Sequence, residues 1–98
     1  MPAYIVANVQ VRNPEAYAGY SAQVEDTLKP FGGRFIVRGG QQDVREGDWF
    51  DRIVVIEFPA LDQARSWYES DAYQRILPTR LANSDGRVLI VEGYEPAR

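Results

Sequence analysis

The sequence predicts an α+β domain in which four antiparallel strands form one sheet and two helical segments cross one of its faces. Three observations carry this expectation. Four short apolar stretches lie at residues 4–11, 34–38, 52–58 and 87–94, the first two read at a period of two and the third apolar nearly throughout. Apolar residues recur at three- and four-residue spacing through residues 14–31 and 61–81. Clusters of glycine, proline, asparagine and aspartate punctuate the junctions.

Tyr4 to Val11 reads as the first strand, with Ile5, Ala7, Val9 and Val11 on one face and Tyr4, Val6, Asn8 and Gln10 on the other. Asn13-Pro14-Glu15 is a helix start: an asparagine cap, proline in the first turn and an acid facing the positive end of the helix dipole. Tyr17, Tyr20, Val24, Leu28 and Phe31 form the apolar stripe of that helix, and Pro30 with Gly32-Gly33 stops it. The glycine-bracketed strand Arg34 to Arg38 follows, its alternation placing Arg34, Ile36 and Arg38 on one face and Phe35 and Val37 on the other. Gln41 to Arg45 can extend it beyond a glycine bulge, and Glu46-Gly47-Asp48 makes a turn.

Arg52 to Phe58 is apolar nearly throughout, as befits a central strand, and Pro59 closes it. Leu61, Ala64, Trp67 and Tyr68 mark a short helix that breaks at Ser70-Asp71. A further helical piece carries Tyr73, Ile76, Leu77 and Leu81, and Pro78 is expected to end or kink it. Asn83 to Gly86 reads as a turn, Arg87 to Tyr94 as the last strand and Glu95 to Arg98 as a tail. The order β-α-β-β-α-β is the ferredoxin-like split arrangement. Its helices cover one sheet face, yet Val6, Ile36, Ile53, Val55, Val88 and Ile90 are expected on the other. So much apolar area calls for a cover, and a second copy laid sheet to sheet supplies one.

Composition narrows the chemistry. At 98 residues the chain is read as one domain, residues 1–98, small enough that self-association is a useful source of stability. Net charge is −3, and ten arginines and one lysine are scattered without a basic run, which disfavours nucleic-acid binding. No apolar stretch is long enough to span a bilayer, and Met1-Pro2-Ala3 leads straight into a strand, so no membrane partner and a cytoplasmic address are expected. Cysteine and histidine are absent. That removes thiol catalysis, histidine triads, thiolate metal sites and a histidine-ligated haem; no metal and no cofactor are expected.

Together these segments resemble a known family. They are Tyr4-Ile5-Val6, Asn13-Pro14-Glu15 with Tyr17 and Tyr20, Gly32 through Gly40, Glu46-Gly47-Asp48-Trp49, Val55 through Pro59, Ala64 with Trp67-Tyr68, Ser70, Tyr73, and Leu89 through Gly93. The chain is similar over essentially its whole length to the bacterial domain-of-unknown-function family thirteen-thirty, and Ala60 departs from it where many members carry a serine. The resemblance implies a branch of the dimeric α/β-barrel superfamily, in which two ferredoxin-like subunits join sheet to sheet as a homodimer. Relatives there include cofactor-independent monooxygenases, muconolactone isomerases and haem enzymes. The family itself carries no settled activity.

Among the residue types that remain, Arg38 and Glu57 stand out, because a hairpin between the second and third strands can set them opposite each other. Such a pair can hold a carboxylate or enolate while the glutamate takes a proton, or it can be a structural cross-strand salt bridge. Tyr20 and Tyr68, with Tyr17 and Tyr73, can surround a pocket between helices and sheet, although Tyr17 and Tyr20 also suit the core. Trp49 reads as a lid, a partner contact or an arm on a second subunit. Arg80 can bind an anion, cap carbonyls or pair with a carboxylate, and Asn8 and Glu92 are expected as polar groups on the open sheet face. Three functional readings follow: a small cofactor-independent enzyme of oxygenase or isomerase type, a small-molecule binding protein, and a structural dimer module.

Overall fold

The computed structural model describes residues 1–96; Ala97 and Arg98, the end of the expected tail, lie outside the described residues. Strand β1 (Ala3–Val11) leads into helix α1 (Pro14–Leu28), capped by the Asn13 carboxamide, which accepts from the Ala16 N–H at 3.2 Å. A single 3-10 turn, Lys29–Phe31, ends on Gly32 in the left-handed region at φ 72°, a conformation that favours glycine. Strands β2 (Arg34–Arg38) and β3 (Arg52–Phe58), helices α2 (Leu61–Glu69) and α3 (Asp71–Asn83), and strand β4 (Ser84–Glu92) complete the order. The sheet runs β2-β3-β1-β4, antiparallel throughout. This is the ferredoxin-like architecture, and no helix among the described residues is long and apolar enough to cross a membrane.

Between the helices and the sheet lies the core. Ile5 and Val9 of β1, Val54, Ile56 and Phe58 of β3, and Val24 and Leu28 of α1 enclose Ala64 and Trp67 of α2 and Tyr73 and Ile76 of α3. Ser70 joins α2 to α3: its hydroxyl donates to the Trp67 carbonyl at 2.6 Å and accepts from the Tyr73 N–H at 3.3 Å.

Four expectations need correction. The second strand is not regular, because the β2–β3 register shifts between Phe35 and Val37. Phe35 pairs with Ile56 and Arg38 with Val54, so both lie on the helix face, whereas Arg34 stands opposite Glu57. The bulge at Ile36 takes up one residue and reverses the alternation beyond it. Arg38 and Glu57 therefore occupy opposite faces and form no pair; the partner of Glu57 is Arg34, with Nη2 to Oε1 at 2.7 Å and Nε to Oε1 at 2.8 Å.

Gln41 to Arg45 do not prolong β2. Gly39 turns away at φ 70° after its N–H bonds the Ile53 carbonyl at 2.9 Å, and an irregular connection runs from there to β3. Helix α3 continues through Pro78 to Asn83, so the proline does not end it, and β4 begins at once at Ser84 instead of after a turn. Pro78 lies on the solvent face of α3, as does Gln74, whose carbonyl loses its partner there and can turn to water. Finally, β4 pairs Ser84 with Val11, so Val88, Ile90 and Glu92 face the helices, and Leu89 and Val91 take the open face at 55% and 45% exposure. An uninterrupted apolar run suits either parity, and the strand start decides between them.

Gly33 sits where the chain passes under the core. A Cβ there would stand 2.6 Å from the Phe58 ring and 3.0 Å from Leu28. Gly33→Ala is expected to cost about 1–3 kcal/mol through overpacking, read as a lower midpoint in urea unfolding with an unchanged slope.

Candidate functional site

A cleft opens between the sheet and α1 and α3. Its walls are aromatic and aliphatic: Tyr17 and Tyr20 from α1, Phe35 from β2, Trp67 and Tyr68 from α2, Tyr73 from α3, and Ile5, Val54, Ile56 and Val88 from the sheet. The cleft's volume is about 40 Å³. That is room for a few waters at roughly 10–15 Å³ each.

Tyr17, Tyr20 and Val24 project from one stripe of α1, and Tyr73, Ile76, Leu77 and Arg80 from one stripe of α3. Where the two helices pack, the Tyr20 and Tyr73 hydroxyls meet at 2.8 Å, their rings edge to face at 6.2 Å. Trp67 lies 4.1 Å from the Tyr73 ring and 5.7 Å from Phe58, and its indole N–H donates to Thr27 Oγ1 at 2.9 Å.

Three guanidinium groups share this cleft. Arg80 is 7% exposed, and its Nε has no hydrogen-bond partner among the described residues. Its backbone is held by Ser84, whose hydroxyl donates to the Arg80 carbonyl at 2.6 Å. Arg52 lies on the inward row of β3 with Val54, Ile56 and Phe58, its guanidinium 5.6 Å from the centre of the Tyr17 ring and its Nε buried without a partner. A Cβ at Gly39 would run into this guanidinium, so the glycine makes room for it. Arg38 is exposed, lies 4.1 Å above the Phe35 ring, and donates from Nη2 to the Ser21 carbonyl at 3.0 Å and to Ser21 Oγ at 3.3 Å. No carboxylate lines the cleft or bridges to any of these three arginines among the described residues.

The phenols respond to this setting. Burial pushes Tyr20 well above the usual phenol range, and the charge and hydrogen bond of Tyr73 add to the rise while Arg80 opposes it. Burial also raises Tyr73, against the pull of its hydrogen bond with Tyr20 and of Arg80. For Arg80, burial works against the charge, but the facing phenols Tyr73, Tyr20 and Tyr68 outweigh it and the guanidinium stays charged. At neutral pH the cleft therefore holds protonated phenols beside cations.

Of the residues singled out in the sequence, Arg38, Tyr20, Tyr68 and Arg80 come together here. Glu57, Asn8 and Trp49 do not. Glu57 points to the open face with Arg34. Asn8 is also on that side but buried: its carboxamide donates to the Phe50 and Arg52 carbonyls at 3.1 and 3.2 Å and accepts from the Phe50 N–H at 3.1 Å. It thereby fixes the chain entering β3. Trp49 stands 58% exposed in the connection, its indole N–H on the Glu46 carbonyl. Arg52 escaped the sequence reading, although counting back by twos from Phe58 places it inward.

The domain-of-unknown-function family DUF1330 matches residues 2–94. The chain belongs to this family. Its fold is shared by a protein of unknown function from Rhodopseudomonas palustris, 20% identical over 97% of this chain and 84% of that one, with a TM-score of 0.76. SnoaB from Streptomyces nogalater, a cofactor-independent oxygenase, is 15% identical over 97% of this chain and 95% of its own, with a TM-score of 0.66. A dimeric ferredoxin-like protein of unknown function from Thermobifida fusca is 14% identical over 94% of this chain and 91% of its own, with a TM-score of 0.63. At these identities the likeness is one of fold. Among curated protein sequences none matches the chain.

The phenol pair has a consequence for stability in alkali. In the unfolded chain both phenols titrate near ~10, below their folded values. Below that pH both states are protonated and the pair adds no pH dependence; above it the unfolded chain releases protons that the folded one keeps, so stability falls as pH rises. Denaturant unfolding at about pH 8 and about pH 11 is expected to show this loss, and a Tyr20→Phe, Tyr73→Phe double variant is expected to show less of it.

Proposed function

We propose that this protein is a small-molecule enzyme that works without a cofactor, acting as an oxygenase or isomerase on an enolisable or aromatic substrate seated in the cleft between helices and sheet. The observation that carries this reading is the set of hydrogen-bond donors on the cleft walls: three guanidinium groups and a phenol pair, with no carboxylate among them. When a carbon acid loses its proton, negative charge develops on the conjugated oxygen, and donors already in position stabilise that charge more than the neutral ground state. Arg80 and Arg38 supply charge and Tyr20, Tyr73 and Tyr68 supply O–H donors, so the cleft stabilises an enolate whose proton passes to solvent water. The fold shared with SnoaB, a cofactor-independent oxygenase, agrees with this chemistry.

One observation favours a second reading, a binding protein without turnover. Neither carboxylate nor imidazole lines the cleft among the described residues, and the buried phenols hold their protons at neutral pH, so no side chain there is suited to remove a proton. A thermal-shift panel of phenols, quinols and cyclic diketones, followed by oxygen uptake in air and substrate absorbance under nitrogen, separates the two. For an enzyme, Arg80→Met and Tyr73→Phe are each expected to lower kcat/KM by about tenfold or more. Stabilising compounds that are consumed neither in air nor under nitrogen support the binder.

We further propose a homodimer joined through the open sheet face. Val6, Ile53 and Val55 are half-buried there, and Val37, Leu89 and Val91 are exposed beside them. So continuous an apolar surface suits an interface of about 800 Å² per partner. Light scattering at micromolar concentration is expected to give twice the chain mass, and Leu89→Asp is expected to shift it to one. A monomeric unaltered chain would overturn the proposal.

A further inference from the structure

The polar groups of the cleft are of one kind. Arg80 and Arg52 each bury an Nε donor without a partner among the described residues. The Tyr20 and Tyr73 hydroxyls carry one proton each and use one between them, so the second can be donated elsewhere. The acceptors of Ser21 are already taken by Arg38. A neutral ligand brings no counter-charge to these guanidinium groups, whereas an anion does and accepts charge-assisted hydrogen bonds from the donors it reaches. The cleft is also badly equipped to generate that anion, since its phenols are held protonated and no carboxylate or imidazole faces them among the described residues. The charge has to arrive with the ligand.

Shape adds two constraints. Phe35 and Tyr68, both half-buried, line the cleft with aromatic rings that suit a planar body. The cleft's volume of about 40 Å³ is well below the ~150 Å³ of a cavity known to hold benzene, so a ring is fully taken in only when a wall moves. Arg38 is the wall held least firmly: it is exposed, and two hydrogen bonds to Ser21 tie its guanidinium across from β2 to α1.

We propose that the cleft takes a planar organic anion ionised before it binds, an aromatic or conjugated carboxylate or an acidic enolate, whose charged oxygens sit on Arg80 and the Tyr20–Tyr73 pair while Arg38 releases Ser21 to admit it. This rests on the reading of the cleft as the ligand site and names its substrate class.

The test uses matched pairs on the unaltered protein: naphthalene carboxylate against naphthalene carboxamide, and salicylate against salicylamide, followed by tryptophan fluorescence and thermal shift. Each acid and its amide share a ring and differ in charge. The acids are expected to bind at least about tenfold tighter than their amides, as charge-assisted hydrogen bonds require, and less tightly at high salt. Arg80→Met is expected to abolish the preference while leaving the unliganded midpoint unchanged or raised, since it removes a buried unpaired cation. Arg38→Gln is expected to weaken the acids and spare the amides. Equal binding of acid and amide, binding of neither, or the same stabilisation by sulfate would overturn the proposal; the comparison within each pair stands even if a variant fails to fold. The two readings fail separately. Neutral phenols turned over by a protein that ignores carboxylates would sink this proposal and keep the enzyme, whereas carboxylates bound and never consumed would do the reverse.

Discussion

Trp67 is the point at which three helices and the sheet are held together. Its ring lies against Phe58 of the central strand β3 and Tyr73 of α3, and its indole N–H reaches Thr27 of α1. A buried indole with its one donor satisfied fixes both position and orientation, because rotating the ring would forfeit the hydrogen bond along with the packing. The spacing between helix layer and sheet follows from this residue, and so does the cleft beside it. Tyr73, packed on Trp67, meets Tyr20 where α3 lies against α1.

Against that apolar anchor stand the arginines. Burying a cation without a counter-charge is costly, and replacement by a well-packed apolar side chain is often neutral or stabilising. A protein selected for stability alone would have little reason to line one cleft with Arg38, Arg52 and Arg80 and no acid. Phenol oxygens and aromatic faces offset part of the cost: Arg52 beside Tyr17, Arg38 over Phe35, and Arg80 facing Tyr73. The open sheet face treats charge differently. There Arg34 meets Glu57 across the strands in an ion pair, and Arg87 lies 4.7 Å above the Phe50 ring. The two faces thus differ in their acids: the open face holds Glu57 against Arg34, whereas no carboxylate lines the cleft among the described residues.

Much of this was legible in the residues alone. Strand β1 alternates without ambiguity, α1 announces itself through Asn13-Pro14-Glu15, and the stripe of Tyr17, Tyr20, Val24 and Leu28 shows which side of that helix is buried. The inward position of Arg52 follows from parity with Val54, Ile56 and Phe58, so the second cleft arginine was readable in principle. These features depend on neighbours a few residues apart, and local periodicity suffices to place them.

Other features depended on contacts between distant segments. Whether Arg38 joins the cleft or the open face turns on one bulged residue, Ile36, and a bulge leaves no mark in a sequence that alternates equally well without it. The parity of Val88 to Val91 was set by Ser84 pairing with Val11, two residues far apart in the chain. The meeting of the Tyr20 and Tyr73 hydroxyls, and the burial that keeps both protonated, required α1 to pack against α3. The sequence by itself determined the order of the elements and the buried stripes of β1, α1 and β3, because those follow from the fixed periods of helix and strand. Tertiary structure alone decided which charges face which ring, because strand register and helix packing are settled by the whole core at once.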